Sequence, residues 1–104
     1  MATKGVKAPE RKERDMPTLL IRHKVTDFDV WRMAFHEDSG TRSANGSQRE
    51  VFYRNSIDPD EVWILLEWDD LFRARLFVNS DDLSDALIRA GVTDHPDYWY
   101  LEEG

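Results

Sequence analysis

Apolar positions along this chain switch between two periods, and the switches mark its elements. In "TLLIRHKV" (18–25), Leu19, Ile21, His23 and Val25 share one parity against Leu20, Arg22 and Lys24, the alternation of a strand. "TDFD" follows, where Thr26 or Asp27 supplies a helix N-cap. Phe28, Trp31 and Phe35 then recur at i, i+3 and i+7, one apolar stripe on a helix expected to run to about Asn45, where "NG" is a stop and Gly40 a weak point. "QREVFYRNS" (48–56) reads as a second strand, with Val51 and Tyr53 opposite Phe52 and Arg54. After the turn residues Asp58-Pro59-Asp60 a third strand spans 61–69, antiparallel to the second. Residues 69–92 read as helical from an Asp69 or Asp70 cap to Gly91. "NSDD" interrupts them, and Ser80 caps a second short helix with Leu83, Leu87 and Ala90 inward. "HPDYWYLEE" (95–103) is an aromatic-rich fourth strand.

The order is β-α-β-β-α-β, a ferredoxin-like α+β domain with a four-stranded antiparallel sheet. Right-handed crossovers place both helical segments on one face. The strands are nevertheless apolar at both parities: Val62, Ile64, Leu66 and Trp68 against Trp63 and Leu65, and Tyr98 and Tyr100 against Trp99 and Leu101. An open face carrying Phe52, Trp63, Leu65 and Trp99 or Leu101 is a larger apolar patch than monomers tolerate. Its expected cover is a second copy, sheet against sheet. The alternative is a monomer that uses a wet aromatic face for ligands.

Length and charge narrow the picture. The 104 residues suffice for one domain, with a disordered tail expected over 1–16 and a folded body expected over 17–104. The tail carries five basic and three acidic residues, and the body nine basic and eighteen acidic. Such an acidic body repels phosphate backbones, so nucleic acid is not an expected partner. The chain has no cysteine, hence no disulfide and no thiolate metal site. No apolar run approaches the roughly 18 residues of a membrane span, and "MATKGVKAPERKERDMP" contains no secretory signal. The cytoplasm is the expected location.

"IRHKVTDFDVWRMAF", Arg42 to Gly46, "VFYRNSIDPDEVWILLEWDD", "ARLFVNSDDL" and "AGVTDHP", in that order, resemble the dimeric α+β barrel superfamily, close to its antibiotic-biosynthesis-monooxygenase-like branch. More narrowly they are similar to a small bacterial group often labelled "cyclase". The resemblance covers about residues 18–103. It implies a homodimer with a pocket between helices and sheet in each subunit. Within the superfamily some members oxidise aromatic polyketides without metal or flavin, some isomerise or cyclise small molecules, and some bind haem. The fold alone does not choose among these.

His23 shares the parity of Leu19, Ile21 and Val25, so on the helix face it lies in the implied pocket near Trp31 and Phe35. There it is a candidate base, or else a core histidine bonded to a neighbouring element. Arg42 and Arg54 are candidate contacts for an oxyanion or carboxylate, or partners of acids such as Glu67 or Asp69. Glu67 is expected to pair with Arg22, Lys24 or Arg54. Trp31, Phe35 and Trp68 are candidate walls for a flat ligand, or simply core. His36 falls on the outer helix face and His95 in a loop, so the histidines give no metal signature, and no cofactor is expected. Phosphate-loop, dinucleotide, serine-hydrolase and zinc-protease motifs are absent. The functional expectation is a cofactor-independent monooxygenase- or cyclase-like enzyme for a small aromatic or enolisable molecule. A non-catalytic metabolite-binding dimer is the alternative. Haem binding or degradation is a third reading, although the asparagine-tryptophan-histidine set of the haem-degrading branch is not complete here.

Overall fold

The computed structural model describes residues 16–103; apart from Met16, the tail expected over 1–16 lies outside them. The elements are β1 (Thr18–Lys24), α1 (Phe28–Glu37), α2 (Ser39–Asn45), β2 (Ser47–Arg54), β3 (Glu61–Trp68), α3 (Leu71–Val78), α4 (Asp81–Arg89) and β4 (Asp97–Leu101). The strands form one sheet in the order β2-β3-β1-β4, with every neighbouring pair antiparallel. This is the ferredoxin-like arrangement expected from the periodicity. Among the described residues, no helix is long and apolar enough to cross a membrane.

Local chemistry sets the helix ends. The Asp27 carboxylate accepts from the Asp29 and Val30 N–H groups, Asp70 caps α3 through the Phe72 N–H, and Ser80 Oγ caps α4 through the Leu83 N–H. The first helical segment is not continuous to Asn45. It breaks at Asp38, whose φ and ψ of −90° and 4° end α1 and whose carboxylate is drawn to Arg89 at 2.7 Å. Gly40, the expected weak point, lies two residues beyond.

One sheet face holds the core. Leu19, Ile21, His23 and Val25 from β1 and Val62, Ile64, Leu66 and Trp68 from β3 are all buried, against Trp31, Ala34, Ala74, Phe77 and Leu83 from the helices. The other face carries Leu20, Trp63 and Leu65 half-buried, with Tyr53, Trp99 and Leu101 exposed. Trp63 and Trp99 stack there at 5.7 Å. The structure therefore answers why β3 is apolar at both parities: one set enters the core, and the other paves an open face.

Phe52 corrects one expectation. It pairs in register with Ile64 and so belongs to the helix face, where it meets Trp31 at 5.0 Å and Phe35 at 5.4 Å. Val51, Phe52 and Tyr53 are consecutive apolar residues, so pattern alone does not orient β2. The irregularity between Ser47 and Arg49 sets its phase.

Candidate functional site

A cavity of about 120 Å³ opens between the helix face of the sheet and the helices. Its floor includes Ile21, His23, Ile64, Leu66 and Tyr98, its walls Trp31, Phe35 and Phe77, and its polar residues Asp38, Thr41, Arg42, Asp82, Asp85 and Arg89. Four sequence candidates therefore converge: His23, Trp31, Phe35 and Arg42. Arg54 and Trp68 do not line it.

His23 is 2 % exposed, and its Nδ1 has no hydrogen-bond partner. Its ring lies edge-on to Trp31 at 6.0 Å. Desolvation lowers its pKa to about 4, against a weaker upward pull from Asp94. The imidazole is thus neutral across the physiological range. Burial likewise pushes the Tyr98 phenol up to about 12.

Arg42 is buried as well, but committed. Its Nε and Nη2 donate to the two Glu50 oxygens, Nη2 also donates to the Phe35 carbonyl at 2.8 Å, and the guanidinium lies 3.6 Å over the Phe35 ring. Ser47 Oγ donates to the same Glu50 carboxylate at 3.0 Å. The partner is Glu50, not the expected Glu67 or Asp69. The acid and the arginine meet because Glu50 faces the helices, in register with Leu66. Nη1 makes no hydrogen bond among the described residues.

Arg54 also faces the helices, in register with Val62, but at the far end of β2. It stacks 4.1 Å over Phe28 and donates to the Pro59 carbonyl. Trp68 is fully buried against Phe77 at 5.3 Å, its Nε1 unpartnered. Glu67 pairs with Arg49, its neighbour in register across β2 and β3, and not with Arg22, Lys24 or Arg54. Arg22 instead binds Glu61, Asp94 and Asp97 on the open face, and Lys24 pairs with Asp58. His36 and His95 are exposed. Among the described residues, no three histidine, aspartate or glutamate side chains are grouped to hold a metal.

Sequence reasoning missed the mouth. Asp82, Asp85 and Arg89 stand at i, i+3 and i+7 on α4, one helix face. That spacing was available, but an acidic stripe reads as solvated surface. Asp38 joins it through Arg89, across 51 residues of sequence.

No protein-family model matches the chain, and no curated protein matches it. Solved structures do. A candidate antibiotic biosynthesis monooxygenase from Bordetella bronchiseptica superposes with a TM-score of 0.74 at 11 % identity, covering 86 % of this chain and 98 % of that one. One from Caulobacter crescentus CB15 gives 0.68 at 14 % identity, over 86 % and 91 %. SnoaB, a cofactor-independent oxygenase from Streptomyces nogalater, gives 0.66 at 14 % identity, over 86 % and 96 %. At such identities the likeness is one of fold: the chain has the α+β fold of antibiotic-biosynthesis-monooxygenase-like proteins.

Proposed function

We propose that two copies of this chain pair sheet to sheet, and that the cavity in each binds a small aromatic or enolisable molecule and transforms it without a cofactor, as an oxygenase- or cyclase-like enzyme. The observation that carries this reading is His23, a buried neutral imidazole with an unpartnered Nδ1 on the floor of a cavity. A buried polar atom without a partner costs about 1–3 kcal/mol; Nδ1 is closed to water in the free chain, so a ligand hydroxyl recovers that cost by turning the ring towards the cavity. A hydroxyl both donates and accepts, so it satisfies either tautomer. In SnoaB the same fold serves a cofactor-independent oxygenase.

In this mechanism His23 accepts the proton as the substrate enolises. A pKa of about 4 makes the free imidazole a weak base, but the enolate formed beside it is an opposite charge at contact distance and raises that value as the proton moves. Trp31 and Phe35 exclude water and hold the ring plane. Arg42 fixes the wall through Glu50 and does not act as a mobile anion clamp.

The same low basicity and the full commitment of Arg42 favour a second reading, a binding protein without catalysis. Phloroglucinol, a single ring that tautomerises to a keto form, separates the two. With a metal chelator present, we expect oxygen uptake or a new product mass for wild type and neither for His23→Phe. Saturable NMR shifts with no turnover select the binding protein. No shifts at millimolar ligand sink both readings.

A further inference from the structure

We infer that the ligand of this cavity carries a neutral carbonyl, whose oxygen accepts from the Tyr98 hydroxyl and from Arg42 Nη1. This rests on the reading of the cavity as a ligand site and adds the group that the site selects.

Two donors on the cavity lining are unspent and open. Arg42 is only 5 % exposed and lines the cavity. Its Nε and Nη2 donate to Glu50 and to the Phe35 carbonyl, and Nη1 makes no hydrogen bond among the described residues. Among those residues, the unpartnered side-chain atoms sealed from solvent are His23 Nδ1 and Trp68 Nε1. Nη1 differs from both in being accessible. One face of the guanidinium lies 3.6 Å over the Phe35 ring, and its Nε–Nη2 edge meets Glu50, so the cavity is the side left to Nη1. Tyr98, half-buried, pairs in register with Ile21 on the helix face and lines the cavity floor. Its hydroxyl likewise has no hydrogen bond among the described residues and is not sealed. Burial raises its pKa to about 12, so it keeps its proton through neutral pH.

These atoms fix the chemistry of the complement. A guanidinium nitrogen only donates, and a protonated phenol donates as well, whereas a carbonyl oxygen has two lone pairs and only accepts. Glu50 already cancels the Arg42 charge and Tyr98 is neutral, so the pair offers hydrogen bonds without a net charge. A carboxylate would lose its hydration there with no free counter-charge, and a neutral carbonyl loses far less. The walls beside them are the rings of Trp31, Phe35 and Phe77, which suit a flat apolar body. An aromatic or cyclic ketone meets all three conditions.

Acetophenone, ethylbenzene and benzoate share a ring and differ in the group it bears, so their binding to the full chain tests the inference. We expect acetophenone to bind tighter than benzoate. The infrared stretch of its carbonyl, labelled with carbon-13, should lie at lower frequency on the protein than in hexane. Tyr98→Phe, folded by circular dichroism, should weaken acetophenone about fivefold, the factor for one net hydrogen bond, and leave ethylbenzene unchanged. Arg42→Lys keeps a cation for Glu50 and removes Nη1. In both variants the bound carbonyl stretch should move back up, a change that a purely structural role for either side chain would not produce. A stretch equal to that in hexane, a stretch unmoved by both substitutions, or tighter binding of benzoate overturns the carbonyl assignment. So does binding of ethylbenzene without acetophenone, and each of these outcomes leaves the ligand site standing. If none of the three binds, the ligand site falls and this inference with it.

Discussion

His23 stores a cost that acid reveals. Its ordinary pKa of 6.5 is lowered to about 4 by burial, so between those values the unfolded chain binds a proton that the folded chain refuses. Stability therefore falls as pH drops from about 6.5 towards 4, by roughly 1.4 kcal/mol per unit and about 3 kcal/mol in all, and the group contributes nothing above pH 7. Urea midpoints measured between pH 5 and 6.5, above the usual carboxylate range, should show this slope in wild type and lose it in His23→Phe. An unchanged slope in the variant means that another group is responsible. Arg42 and Glu50 pose the complementary case. Arg42→Met leaves a carboxylate against the packed helices with Ser47 alone to hold it, and a broken buried pair costs 3–5 kcal/mol. Because the Glu50 side chain keeps 22 % of its exposure, we expect about 2–3 kcal/mol. Adding Glu50→Leu should recover part of it, and a double variant less stable than the single would refute the pairing as the cause.

At the scale of elements, two glycines of the α2 region make opposite predictions. Gly46 ends α2 at φ 122°, and a Cβ there would stand 2.6 Å from an Asp69 carboxylate oxygen and 3.2 Å from the Trp68 ring. Gly46→Ala should destabilise by about 1–3 kcal/mol. Gly40 sits inside α2 with nothing within 4 Å of its added Cβ, so Gly40→Ala should stabilise by about 0.5–1 kcal/mol. Thermal melts of the two variants check both signs. The stop at Gly46 was legible in the sequence as "NG", as were the Ser80 cap after "VN" and the stripe of Phe28, Trp31 and Phe35, because caps and periodicity are local. The break at Asp38 was not, because its carboxylate answers to Arg89, 51 residues away. Nor was the face of Phe52, since three successive apolar residues carry no phase until the β2 irregularity supplies one. In the site, the parity of His23 was readable from its strand. That Arg42 would meet Glu50, and that Trp68 would stay sealed behind Phe77, depended on register and packing depth, which no spacing encodes.

On the scale of the whole molecule, β1 divides two environments one residue apart: His23 enters the cavity, and Arg22 meets Glu61, Asp94 and Asp97 on the open face. That face, with Trp63 stacked on Trp99 and Leu65 beside Leu20 in register, is the surface on which the proposed dimer depends. A stable interface needs about 800 Å² from each partner, and Trp99 and Leu101 are still 41 % and 43 % exposed in the single chain. Light scattering should accordingly report twice the 12.2 kDa subunit mass for wild type, with a melting temperature that rises with protein concentration. Leu65→Glu places a charge at the centre of the face. It should halve the mass and abolish the concentration dependence, and because the cavity lies on the opposite side of the sheet, a folded variant should still bind a phenol there. A wild-type mass of 12.2 kDa at tens of micromolar would leave the apolar face in water and remove the sheet-to-sheet pairing from the proposed function. A dimer that survives Leu65→Glu would instead move the interface to another surface.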